Sequence, residues 1–258
     1  MAVAGAECNT VIEIDDTVPS ETVMKERLLH EFEAVIARLT EPLNGQFPRP
    51  WMTDLTNPLS ANVFIVGKNQ AKGYGCGHIS HKRHVDALFN RSGESCRRVY
   101  GEMTGYRPSP TRQNIDYFRS VLAAEGITQV LETNVICYST PMSSDLRLPN
   151  HRGGAVRGTE IFLALLHFVK PKVLVVHGSG TRDTLVKLLK APLPAPSITN
   201  NDPVPSVIGE MSIFVIPSLA PPQWNHWHTQ ASPYLAKVAI AAASVLGGHA
   251  SNHSGNLG

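Results

Sequence analysis

Val63-Phe64-Ile65-Val66, followed by Gly67-Lys68-Asn69-Gln70-Ala71, is the stretch on which the reading of the fold turns. Four bulky apolar residues with no polar alternation suit a strand covered on both faces, and the glycine suits the chain's exit from a sheet. Similar short runs return at residues 130–137, at Val173-Leu174-Val175-Val176 and at residues 212–216. Helical spacing fills the intervals. A helix is expected after Ser20, where Val23, Leu28, Phe32, Val35, Ile36 and Leu39 recur, and others at about 112–124, 158–168, 181–189 and 230–246. A proline-rich surface loop is expected over 191–206. The expected architecture is an α/β fold, a three-layer α/β/α sandwich around a central, mostly parallel, four-stranded sheet. Ligands in such folds bind beyond the carboxyl ends of the strands, which directs attention to the segments after Val66, Val135, Val176 and Ile216.

The composition narrows the class of protein. A chain of 258 residues, 42% hydrophobic and 17% charged, can bury a core that needs no disulfide or structural metal. Its net charge of +2 is too small to speak for a nucleic-acid or membrane partner. Cys8, Cys76, Cys96 and Cys137 are scattered, which fits a reducing, intracellular (cytoplasmic) setting. No apolar run approaches the roughly 20 residues of a membrane span, and the first residues lack a signal peptide's pattern. One domain is expected over residues 20–246, between a loosely ordered acidic arm (1–19) and a flexible tail (247–258). Nothing in the sequence requires an oligomer, so a monomer is expected.

Familiar motifs fail on spacing. Gly178-Ser179-Gly180 has Val176 where a nucleophile elbow needs glycine, and reads as a small-residue turn between strand and helix. Gly73-Tyr74-Gly75-Cys76-Gly77 lacks the dinucleotide-binding spacing. Cys76, His78, His81 and His84 leave three readings open: metal ligands, a solvated basic loop, or a nucleic-acid contact. The wider neighbourhood is basic, with ten Lys or Arg against four Asp or Glu between Lys68 and Arg119. That excess suits phosphate contacts, although a solvated face would look the same.

Three segments in order carry a resemblance: Gly67-Lys68-Asn69 after the first strand, Thr133-Asn134-Val135 with Cys137 and Pro141, and Pro217-Ser218 after the last strand. Together they resemble the uracil-DNA glycosylase superfamily, over roughly residues 60–246. In that superfamily the first motif reads GQDPY, GINPG or GEAPG, and the last reads HPS or NPS. The resemblance implies an enzyme that flips uracil out of DNA and hydrolyses its N-glycosidic bond, leaving an abasic site, with no cofactor and no metal. It implies Asn69 as the residue that orients the water, with Lys68 beside it as a faint candidate for amine chemistry. Uracil would be held by Gly67, Gln70, Ala71, Asn134 and Ser218, with His81 stacking on the base and Tyr74 and His78 as its competitors. Asparagine suits this task because it offers a donor and an acceptor together, to O4 and N3–H of uracil. DNA would be contacted by Lys72, Lys82, Arg83, Ser218 and His226, with Leu219 or Trp224 as the wedge.

The sequence also departs from that pattern. Ile216 stands where the last motif has histidine, Gln70 replaces the motif proline, and Ala71 replaces the tyrosine that blocks the thymine methyl. Loss of the histidine keeps a second reading open, a protein that binds or traps uracil-DNA with little turnover. A histidine among residues 78–84 attacking the sugar would be its covalent form.

Overall fold

A computed structural model describes residues 20–198 and 202–251. The expected acidic arm and the end of the expected tail lie outside the described residues.

A single six-stranded sheet organises the chain, in the order β2-β5-β3-β6-β8-β7. Its strands are β2 (Trp51–Met52), β3 (Val63–Gln70), β5 (Val130–Ser139), β6 (Val173–His177), β7 (Ser206–Ile208) and β8 (Met211–Ile216). The inner neighbours β5, β3, β6 and β8 run parallel, whereas β2 and β7 pair antiparallel at the two edges. A separate two-stranded antiparallel sheet joins β1 (Gln46–Phe47) to β4 (Tyr74–Gly75). The expectation of a four-stranded, mostly parallel sheet is thereby corrected to a mixed six-stranded sheet with a second small one. The physical reason is length. Strands of two or three residues carry too few side chains to show a period, and both Trp51-Met52 and Gln46-Phe47 sit among prolines that read as loop.

The strand-forming runs are buried on both faces because their alternate residues enter two different cores. Phe64, Val66, Leu174 and Val176 face helices α1 (Glu21–Leu39), α5 (Gly154–Val169) and α6 (Ser179–Leu189). Val63, Ile65, Val173 and Val175 face α4 (Pro110–Ala124) and α7 (Trp224–Ser251). Each helix of α1 and α4 opens on a serine whose hydroxyl accepts a backbone N–H, Ser20 and Ser109 respectively, which supplies partners the first turn otherwise lacks.

Two helices that the sequence reading did not place, α2 (His81–Leu88) and α3 (Cys96–Thr104), are capped by Ser80 and Ser95. They cover a small core of Phe47, Tyr74, Ile79, Ala87 and Val99 beside the two-stranded sheet. α7 starts six residues earlier than the spacing predicts and continues through Ser251, into the expected tail. Between Trp224 and Gly248 it is long and apolar enough to cross a bilayer by composition, with a third of its most apolar window buried in the fold. Trp227, Ala231, Leu235, Val238 and Ala242 pack it onto the sheet.

Candidate functional site

A cleft of about 670 Å³ opens at the carboxyl ends of the parallel strands, a size suited to a small ligand. Its floor is set by the strand register. Gly67 on β3 is paired with Asn134 on β5, and His177 closes β6 on the other side of β3. Gly67 is needed there for space: a Cβ would stand 2.6 Å from Asn134 Oδ1 and 3.0 Å from His177 Nε2. A side chain at that position would push both polar groups off the floor.

The floor is chemically under-used by the protein itself. Among the described residues, the Asn134 carboxamide has no protein hydrogen-bond partner, although it is partly buried and lines the cleft. Nδ1 of His177 is buried without a partner too, as is Oε1 of Gln70. The uncommitted donor and acceptor of Asn134, on the floor of the cleft, make it a place where a ligand's polar groups fit. Burial pushes the His177 imidazole down to about 4, which keeps it neutral near pH 7. A neutral imidazole carries one N–H to donate and one nitrogen that accepts.

Asn69 is oriented by its own hydrogen bonds. The ladder shifts register between Asn69 and Gln70, and this irregularity brings the Asn69 amide to Thr140. Its Nδ2 donates to Thr140 Oγ1 at 2.9 Å and to the Gln70 carbonyl at 3.2 Å. With both N–H groups engaged, Oδ1 is left as the group able to accept. Asn69 is the penultimate residue of β3, paired with Ile136, rather than a loop residue after the strand.

One wall of the cleft is the start of α6. Gly178 turns out of β6 with φ +87°, and Ser179 and Gly180 follow on the first turn with no side-chain cap. Lys68 lies against this turn: a Cβ on Gly180 would be 3.4 Å from its Nζ. Free amides at a helix start and an ammonium group beside them both favour an anion.

The structure divides the sequence-predicted residues sharply. Lys68, Asn69, Gln70, Ala71, Lys72, Asn134 and Ser218 line the cleft, with Gly67 in its floor. Tyr74 does not; it is buried edge-on against His84, and burial pushes its phenol up to about 12. His81 stacks on Phe47 and meets Thr40 Oγ1 at 3.2 Å. Of the aromatic residues that line the cleft, Tyr100 is partly exposed, and the Arg49 guanidinium lies 4.8 Å above its ring.

Leu219 is fully buried in the core beneath α7, while Trp224 packs edge-on against Trp227. His226 is exposed on α7 and does not line the cleft. Lys82 pairs with Asp86, and Arg83 pairs with Glu94 and Glu102. His84 is buried, with Nε2 2.9 Å from the Pro48 carbonyl. Among the described residues no three His, Cys, Asp or Glu side chains converge as a metal-binding group.

Sequence reasoning missed His177 and Arg49, and it does not single out Arg107 from the other cations of residues 68–119. The signal for His177 was present, since it is the first polar residue after the Val173–Val176 run and so stands at a strand end. It also pairs in the ladder with Ile216, the position where the motif histidine is absent. Arg49 gave no signal, because it reaches the cleft from a loop distant in sequence, as Arg107 does from another. No protein-family model matches the sequence, and no curated protein matches it either.

Proposed function

We propose that this protein is a DNA-repair glycosylase that turns uracil out of DNA into the strand-end cleft and hydrolyses its N-glycosidic bond. The observation that carries the reading is the meeting, in one cleft, of an unpartnered carboxamide, a neutral imidazole and cations free of carboxylates. Three of the ten cations between Lys68 and Arg119 have no ion pair among the described residues: Lys68, Lys72 and Arg107. All three line the cleft.

The chemistry assigns one task to each group. Asn134 pairs with the uracil edge, donating to O4 and accepting from N3–H. Asn69 holds a water at C1′ through its remaining acceptor. The water oxygen bonds to C1′ as the C1′–N1 bond breaks, and the bonding pair leaves with the base as a delocalised anion. His177 donates its N–H to an oxygen of that anion, a task for which a neutral imidazole is suited and which Ile216 cannot perform. The water's proton passes to the departing base or to solvent. Lys68 and the start of α6 hold one phosphate, and Lys72 and Arg107 hold others. Lys68 serves here as a phosphate ligand, because its ammonium group stands beside the amides that open α6 and both favour an anion.

A specific observation favours a second reading, a protein that binds or traps uracil-DNA with little turnover: a hydrocarbon side chain occupies position 216, and it is fully buried. One experiment separates the two. An oligonucleotide carrying a single uracil is incubated with the protein and then treated with alkali. A strand cut that falls about a hundredfold in Asn69→Ala, with DNA affinity kept, supports the enzyme. A shifted or denaturation-resistant band without a cut supports the binding protein.

A further inference from the structure

We propose that Met142 is the wedge that enters the DNA stack when a nucleotide is turned into the cleft, an inference that rests on the base-excision reading. Extrusion of a nucleotide leaves a gap between its neighbours, and proteins that deform a duplex fill such gaps with apolar side chains, methionine among them. The residues on the last-strand side do not supply one. Leu219 is fully buried, and Trp224 is packed against Trp227. Tyr106 is exposed, but an edge of its ring rests against Gly101, where a Cβ would be 2.7 Å from Cε1, and it lines a smaller neighbouring depression.

Met142 differs on each point. It lines the cleft and is 67% exposed, so its apolar side chain stands free at the cleft rather than packed in a core. Its backbone is clamped on both sides. The Met142 N–H donates to Asp145 Oδ2 at 3.0 Å, while its carbonyl accepts from Thr140 Oγ1 at 2.7 Å and from the Asp145 N–H at 3.0 Å. A fixed backbone beneath an unconstrained side chain is what a wedge requires, because the force of insertion is borne by the main chain.

The clamp also reaches the chemistry. Thr140 Oγ1, which donates to the Met142 carbonyl, accepts from the Asn69 amide. The same hydroxyl therefore positions the water-holding residue and the wedge. The loop that follows adds exposed Leu148 and two exposed arginines without an ion pair among the described residues, Arg147 and Arg152. An exposed apolar side chain followed along the chain by free cations fits a duplex, with the cations on phosphates near the opened step.

The test compares single-turnover uracil excision from single-stranded and duplex oligonucleotides of one sequence. Met142→Ala is expected to slow duplex excision about tenfold or more, because the cost of unstacking is then borne without a filler. Excision from the single strand should stay within about twofold, which also shows that the variant is folded. Met142→Leu should restore the duplex rate. A second readout needs no turnover: 2-aminopurine placed beside a non-cleavable uracil analogue should brighten with the wild-type protein and brighten less with Met142→Ala. Equal losses on both substrates would make Met142 part of the base pocket and overturn the proposal, as would no loss on either. A wild-type protein that neither cuts nor brightens the duplex would sink the base-excision reading, and this inference with it.

Discussion

Two regions of this molecule draw on the same basic stretch of sequence and use it in opposite ways. In the lobe formed by α2, α3 and the start of α4, the cations are consumed by carboxylates. Arg83 and Arg98 share Glu94 and Glu102, Arg91 pairs with Glu33, and Lys82 pairs with Asp86. Arg97, Arg112 and Arg119 converge on the buried Glu132, with Asp54 and Asp116 on the outer side. In the strand-end cleft, Lys68, Lys72 and Arg107 have no carboxylate to meet among the described residues. The contrast teaches that a local charge excess does not locate an anion site; the residues left over after pairing do. A cation already held by a carboxylate must give up that partner before it can hold a phosphate.

The largest effect should come from breaking the neutralised region at its centre. Glu132 is nearly fully buried on β5 and accepts from both Arg97 and Arg112, with the Arg119 Nε 3.1 Å away. Glu132→Ala would leave three guanidinium groups crowded around an empty anion position. The expected loss is about 3–5 kcal/mol of stability, read from chemical denaturation. A loss under about 1 kcal/mol would show that the arginines turn to solvent without cost, and the lobe would then count as a solvated face. If the protein cannot be purified, Glu132→Gln keeps the shape and should give a smaller loss in the same direction.

Acid should act on both regions together, because each buries one imidazole. Burial, more than any neighbouring charge, pushes His84 in the lobe and His177 in the cleft down to about 4. Above the unfolded value near 6.5 both states are neutral and neither histidine makes stability depend on pH. As the pH falls from about 6.5 towards 4, the unfolded chain takes up protons that the folded chain refuses, so stability is lost by up to about 3 kcal/mol per histidine. Thermal melts between pH 7 and 4.5 should show this slope, and it should weaken in His84→Gln and in His177→Gln. An unchanged slope in both variants would mean the imidazoles protonate inside the fold. Because His177 stays neutral, uracil excision should not show an acid limb attributable to it between pH 5 and 8.

How much of this was legible in the sequence depended on what made each feature. The inner strands were legible because continuous burial writes itself as Val63-Phe64-Ile65-Val66 and Val173-Leu174-Val175-Val176. The edge strands were not, since Trp51-Met52 has two residues and Ser206-Val207-Ile208 follows a proline-rich loop. α2 and α3 were not legible, because their buried positions are few and their charges are spent on cross-helix pairs that no one-dimensional pattern displays. In the site, Gly67, Asn69 and Asn134 were legible as strand-end residues. Distance along the chain points to His81, with Tyr74 as a competitor, but the turn after β3 buries Tyr74 in a separate small core and stacks His81 on that core's Phe47. Arg107 was counted with the other cations, but its freedom from carboxylates could only be seen once the chain was folded.

The smallest predicted effects test the comparison most directly, through salt. Replacing Lys68, Lys72 and Arg107 singly by Ala should weaken binding of uracil-containing duplex by about 1 kcal/mol or less each, and each should lower the slope of log affinity against log salt by about 1. Lys82→Ala and Arg98→Ala remove the same charge from the neutralised lobe. Both side chains are exposed and held by carboxylates, Lys82 by Asp86 and Arg98 by Glu94. Their loss should leave the salt slope unchanged and stability within about 0.5 kcal/mol, as for other exposed pairs. If instead these two lower the slope as much as the cleft cations do, their carboxylates release them to DNA. Pairing in the free protein would then fail as a guide to where phosphates bind, and residues 68–119 would act as one continuous basic surface.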